Sequence, residues 1–256
     1  MMLGSSRRAR ARLARPVALA DGHRNQVANR QAAALRLVGR NSLAAARVTS
    51  APAGYLLAHT SGDIARHCEL LSPVPGSGQA RVVITPGRLT GEWHLDVGSR
   101  DRPGLLAAFT GVLARTGIDV RQAVLATWDD GAALQAFVIA ATHSPDQGAL
   151  QEAFEASLGE ALSSPPIEDA EVSFANGASE LYTSCEVRAA DRPGLLHAIA
   201  VAIASAGADV HAARVTTIDG IAHDRFDLSN AAGFLLDSIL EDTIRAGITA
   251  GSAFVR

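Results

Sequence analysis

The sequence predicts an α+β protein made of two copies of one small domain behind an α-helical segment. Three observations predict it. The hexapeptide Asp-Arg-Pro-Gly-Leu-Leu occurs at Asp101–Leu106 and again, 90 residues on, at Asp191–Leu196. At the same offset Ala108 recurs as Ala198, Ala114 as Ala204, Gly117 as Gly207, Asp119-Val120 as Asp209-Val210 and Thr127 as Thr217. Around each hexapeptide, alternating stretches and helix-period stretches follow one another in the order β-α-β-β-α-β. A repeat of this length fits a duplicated small domain better than a solenoid unit.

The elements follow in order. Residues 1–23 carry Arg7, Arg8, Arg10, Arg12 and Arg15 against one acid, Asp21, and read as a basic, disordered or partly helical arm. Residues 24–80 read as a helical segment and linker. Val27, Leu35, Val38 and Leu43 are spaced for one helix that breaks near Val48–Pro52. Thr60 is placed to cap a second helix, with Asp63 at N3 and Ile64, Cys68 and Leu71 on one face. Pro73, Pro75, Gly76 and Gly78 then form a linker.

The first domain is expected over residues 92–175. Trp93, Leu95 and Val97 alternate with polar residues or glycine, as in a half-buried strand. Pro103 suits the first helical turn, Asp101 a capping position, and Gly117 the helix end. Two strands flank the Asp129-Asp130-Gly131 turn. Ser144-Pro145-Asp146-Gln147 is a capping box that opens a second helix, and 170–174 is the last strand. The second domain, over residues 180–256, repeats this course with Asp219-Gly220 as its turn. Its closing strand is poorly defined, since only Ala253, Phe254 and Val255 remain. Two helices on one face of a four-stranded antiparallel sheet make each domain ferredoxin-like, βαββαβ.

Bulk composition narrows the function classes. The chain has 256 residues, 48% hydrophobic, and a net charge of −3, which suits one to three small domains. All 23 basic residues are arginine. The two cysteines, Cys68 and Cys185, lack metal-ligand spacing, so a disulfide framework and a zinc site are not expected and a cytoplasmic setting is. No apolar run approaches the ~20 residues that span a membrane, so no membrane partner is expected. No aromatic residue lies among the N-terminal arginines to stack bases, which argues against nucleic acid.

The hexapeptide carries the chemistry. A strand ends, the chain turns, and a helix begins, presenting N–H groups and the positive end of its dipole to an anion. Gly104 lets a ligand approach the backbone, and Asp101 can accept from an ammonium group. The candidate ligand-binding residues are therefore Asp101, Arg102, Pro103, Gly104, Leu105 and Leu106, and in the second copy Asp191, Arg192, Pro193, Gly194, Leu195 and Leu196. The competing reading makes Asp101 and Asp191 simple N-caps, worth ~1 kcal/mol each. No cofactor or metal is expected.

The hexapeptide, its amphipathic helix and Gly117-Ile118-Asp119-Val120 (Gly207-Ala208-Asp209-Val210 in the second copy) resemble the ACT domain, a small amino-acid-sensing module. The tandem pair, with Gly54–Thr60 and Asp63–His67 upstream, resembles the C-terminal region of the bifunctional PII uridylyltransferase/uridylyl-removing enzymes. That resemblance covers roughly residues 24–237. It implies glutamine sensing in nitrogen control, and a homodimer or a catalytic protein as partner.

The catalytic parts of that family are not found. A nucleotidyltransferase needs Gly-Ser followed by Asp-x-Asp, and Asp-x-Asp occurs nowhere. The one His-Asp dipeptide, His223-Asp224, falls in an expected strand, where neighbours face opposite ways. His59 and His67 read as part of a mixed polar helix surface, and Ser99 and Ser184 have no assignable triad partners. The expectation is a regulatory module with no catalytic site of its own. Beside it stand a C-terminal piece of the parent enzyme and a purely structural interaction module.

Overall fold

The computed structural model describes residues 21–39, 42–176 and 182–254. The basic arm expected over 1–23 therefore falls outside these residues as far as residue 20, as do Leu181 and Val255. In chain order the elements are α1 (Asp21–Val38), α2 (Leu43–Thr49), α3 (Ala53–Ala58), α4 (Ser61–Leu70), β1 (Ala80–Pro86), β2 (Glu92–Arg100), α5 (Leu105–Arg115), β3 (Asp119–Thr127), β4 (Ala132–Ala140), α6 (Gln147–Ser157), β5 (Leu162–Ser164), β6 (Glu171–Ala175), β7 (Thr183–Ala190), α7 (Leu195–Ser205), β8 (Ala208–Arg214), β9 (Thr217–Ile218), β10 (Ile221–Asn230), α8 (Ser238–Ala250) and β11 (Ser252–Phe254).

The fold class is α+β, with two ferredoxin-like units. All strand pairs are antiparallel, in the orders β1-β2-β4-β3 and β6-β7-β10-β8, with β9 paired to β10. One connection differs from expectation. The strand placed at 170–174 is β6, and it pairs with β7 of the second sheet rather than closing the first. In both sheets the edge strand comes from the segment just before the first central strand. Consecutive strands joined by a short connection pair readily, and β1–β2 and β6–β7 are both such pairs. The run Val82-Val83-Ile84-Thr85 is β1, which lies between the expected linker (to residue 80) and the expected first domain (from residue 92) and belongs to neither in the sequence reading. The second repeat therefore needs no closing strand. Ala253 and Phe254 instead lie in β11, which pairs with β5, its counterpart 90 residues earlier.

The helical segment also differs in detail. Gly39, at φ +75°, ends α1, so the stretch expected as one helix is α1 and α2. Thr60 and Asp63 form the expected capping box on α4. Helix α6 is capped by Asp146, which accepts from the Ala149 N–H at 3.0 Å, and not by Ser144.

Helices α5 and α7 pack on each other, and the edge strands β3 and β8 lie side by side. One core runs through both repeats, from Leu95, Phe109 and Phe137 to Ile199, Ile203 and Phe226. His197 Nδ1 donates to the Ala107 carbonyl at 2.8 Å across this seam, joining two residues at matching places in the repeats. The other face of the first sheet is covered by α1–α4 through Tyr55, Leu56, Ile64, Trp128 and Leu134. The corresponding face of the second sheet exposes Glu186, Arg188, His223 and Arg225.

Candidate functional site

Each hexapeptide joins the end of a central strand to the helix lying on its sheet. In the first, the Asp101 N–H donates to the Gly131 carbonyl at 2.8 Å, and the Leu105 N–H donates to the Arg102 carbonyl at 3.3 Å. In the second, Asp191 donates to Gly220 at 2.9 Å and Leu195 to Arg192 at 3.1 Å. The two loops are thus the same structure, each tied to the hairpin beside it.

The helices start two residues later than the proline positions suggested. Their N-cap residues are Gly104 (φ +73°) and Gly194 (φ +83°), both left-handed and without a side-chain cap. Asp101 and Asp191 are therefore not the N-cap residues of these helices, and Pro103 and Pro193 lie in the preceding turn. The left-handed cap explains the glycine, since an L side chain is strained there. Leu105, Leu106, Leu195 and Leu196 are buried in the core, so what they can offer a ligand is backbone. The Leu105 and Leu195 N–H groups are already bonded to Arg102 and Arg192, while by helix geometry those of Leu106 and Leu196 precede any intrahelical acceptor.

A cleft of about 440 Å³ opens at the first hexapeptide. Arg100, Asp101, Arg102 and Pro103 line it together with Gln79, Leu158 and Phe254. A carboxylate beside guanidinium groups and a helix start can pair both ends of a zwitterion. The charged side chains of the second hexapeptide bond to Thr217 and Asp169. Thr217 Oγ1 donates to Asp191 Oδ2 at 2.8 Å, and Arg192 pairs with Asp169 at 2.9 Å. Below this loop lies Asp224, 2% exposed. Burial pushes its carboxyl up to about 7, opposed by the Thr216 backbone and helped by Asp191. His223 points to the exposed face of β10 and Asp224 to the core, as the strand reading required.

A second polar cluster was missed. His67 is 1% exposed, not part of a polar helix surface. Its Nε2 lies 3.1 Å from Asp96 Oδ1, and its Nδ1 lies 3.0 Å from the Tyr55 hydroxyl. Arg66 Nε donates to Asp96 Oδ2 at 2.9 Å, and His59 packs on both Tyr55 and His67. Burial would raise the Asp96 carboxyl, but His67 and Arg66 together hold it below the usual range. Burial, then the neighbouring His67, pushes His59 down to about 4. A polar residue in the alternating β2 run was the available signal: Asp96 faces away from Leu95 and Val97 and needs buried partners once α4 covers it.

Comparison with known proteins identifies the unit that carries the first cleft. The ACT-domain family profile matches residues 94–159. These residues form an ACT domain. The chain is also related to the bifunctional uridylyltransferase/uridylyl-removing enzymes. It is 28% identical over 214 residues to that of Vibrio campbellii, covering 75% of this chain and 24% of the relative. With the Gluconobacter oxydans enzyme it shares 31% over 188 residues, covering 62% and 20%. With the Caulobacter vibrioides enzyme it shares 27% over 239 residues, covering 84% and 25%. The chain thus spans about a quarter of the length of these relatives. Among solved structures, an aspartate kinase from Synechocystis matches at TM-score 0.38 and 17% identity, over 60% of this chain and 26% of that one. The ACT hexapeptide holds the cleft, and the second repeat presents the same loop on the same kind of sheet. Among the described residues no helix is long and apolar enough to cross a membrane.

Proposed function

We propose that this regulatory ACT module senses a small amino acid, with glutamine as the ligand and nitrogen control as the setting. The observation that carries the reading is the cleft lined by Asp101, Arg102 and Pro103, just before the left-handed Gly104 that opens α5, with Arg100 beside them. In this reading Asp101 takes the ligand ammonium, while Arg102 and the Leu106 N–H, presented by the turn through Pro103, Gly104 and Leu105, take its carboxylate. Asp191, Arg192, Pro193, Gly194, Leu195 and Leu196 offer a second, matching loop. The relatives' names support the nitrogen-control setting and glutamine enters through that resemblance. The module contributes no catalytic residue of its own and acts by favouring one packing of its repeats over another.

Calorimetric titration of the chain with glutamine tests the reading. Saturable heat, a raised melting temperature and loss of both in Asp101→Ala are expected. No heat and no melting shift at millimolar glutamine would remove the sensing function. The relatives' length also supports a role as one part of a larger uridylyltransferase. An assay of uridylyl transfer to a PII protein should find no activity in this chain alone.

A further inference from the structure

We infer that Phe254, carried by the last strand of the second repeat, is a binding residue of the first-repeat cleft, forming the apolar wall for the side chain of the bound amino acid. The inference rests on the amino-acid-binding reading above. A Cβ added to Gly104 would meet Phe254 Cε1 at 2.7 Å and Cδ1 at 3.1 Å. The ring therefore lies directly on the glycine that opens α5, in the one place where the loop lacks a side chain. Phe254 also lines the cleft, as do the apolar Leu158 and the charged Arg100, Asp101 and Arg102.

The ring is placed by backbone, not by chance. β11 pairs Phe254 with buried Leu162. Ser252 Oγ donates to the Gly247 carbonyl at 3.0 Å, and Gly251 packs so tightly that a Cβ would sit 2.9 Å from the Ser164 carbonyl oxygen. The polar groups suit an α-amino acid head, and the ring and Leu158 suit a side chain with methylenes to bury. The repeats differ here. The residue 90 positions before Phe254 is Ser164, and the nearest atom to a Cβ on Gly194 is the Ala114 methyl at 3.8 Å. Of the two duplicated loops only the first has this aromatic wall, and the first cleft is the tighter site. Because β11 directly follows α8, a ligand against the ring touches both repeats at once.

Titration of the full chain with glutamine and with glycine, which has no side chain to pack, is the test. The wild type should bind glutamine more tightly than glycine by roughly tenfold, the worth of about two buried methylenes. Phe254→Ala should weaken glutamine by a similar factor and leave glycine little changed, so that the preference disappears. Phe254→Leu, which keeps an apolar group on Gly104 and guards against a folding defect, should lose about threefold. Ser164→Ala should match the wild type. Glutamine affinity unchanged in both Phe254 variants would overturn the wall while leaving the sensing function intact. A wild type that binds no glutamine would overturn both.

Discussion

Asp224 and His59 are buried titratable groups that couple stability to pH with opposite signs. The Asp224 carboxyl is pushed up to about 7 from 3.8, chiefly by burial, and its Oδ1 has no hydrogen-bond partner among the described residues. Between those values the native state holds a proton that the unfolded chain has released, so this group lowers stability as pH rises from about 4 to 7. His59 is pushed down from 6.5 to about 4, so the unfolded chain holds the extra proton and stability rises with pH across that window. The two slopes oppose each other in the wild type. Asp224→Asn should remove one of them, giving a steeper rise toward neutral pH and a gain on the order of 1 kcal/mol or more above pH 7. Urea unfolding at a series of pH values reads this directly, and a variant curve parallel to the wild type would show that Asp224 does not titrate in the native state. Asp96 behaves differently, because its carboxylate faces Arg66 and His67 in a buried setting. Asp96→Ala leaves these groups uncompensated and should cost roughly 3 kcal/mol at pH 7 in the same experiment. A loss below 0.5 kcal/mol would mean that the cluster is not a structural lock.

At the level of elements, the two hexapeptide helices begin alike and tolerate change differently. Gly104→Ala and Gly194→Ala both force a side chain into left-handed backbone, at about 1 kcal/mol. Gly104→Ala must also displace the Phe254 ring, whereas Gly194 has room. Thermal melting should therefore place Gly104→Ala clearly below Gly194→Ala, and equal losses would mean that β11 yields without cost. These helices were legible in the sequence because proline, glycine and a periodic apolar face mark them locally. The α4 capping box was legible for the same reason. Strand partners were not: nothing in Val82–Thr85 or in 171–175 states which neighbour each will take, and pairing is decided by the short connections to β2 and β7. The hexapeptide was also visible as a candidate site, while the Phe254 wall was not. Phe254 lies some 150 residues from Gly104, and only the β5–β11 pairing brings them together. His67 was misread because its spacing on α4 looks like a surface position until the sheet covers it.

For the whole molecule, the seam between repeats decides whether the domains act singly or together. The core is continuous from the first sheet through α5 and α7 to the second. A Cβ at Gly111 of α5 would meet the His197 imidazole at 2.9 Å, and that ring is held by its bond to Ala107. No side chain larger than hydrogen fits there without breaking the bond or moving the helices apart. Buried apolar surface shared in this way makes separate unfolding of either repeat costly, since each would expose the face of the other. Scanning calorimetry should show the two repeats melting in one transition. Gly111→Val should lower that transition by several degrees, in line with the ~1–3 kcal/mol typical of overpacking, and hydrogen exchange should then quicken in α5 and α7 together. Two resolved transitions in the wild type, or faster exchange confined to α5 in the variant, would make the repeats independent. A ligand at the first cleft could then signal only through Phe254 and β11, and not through the helix seam.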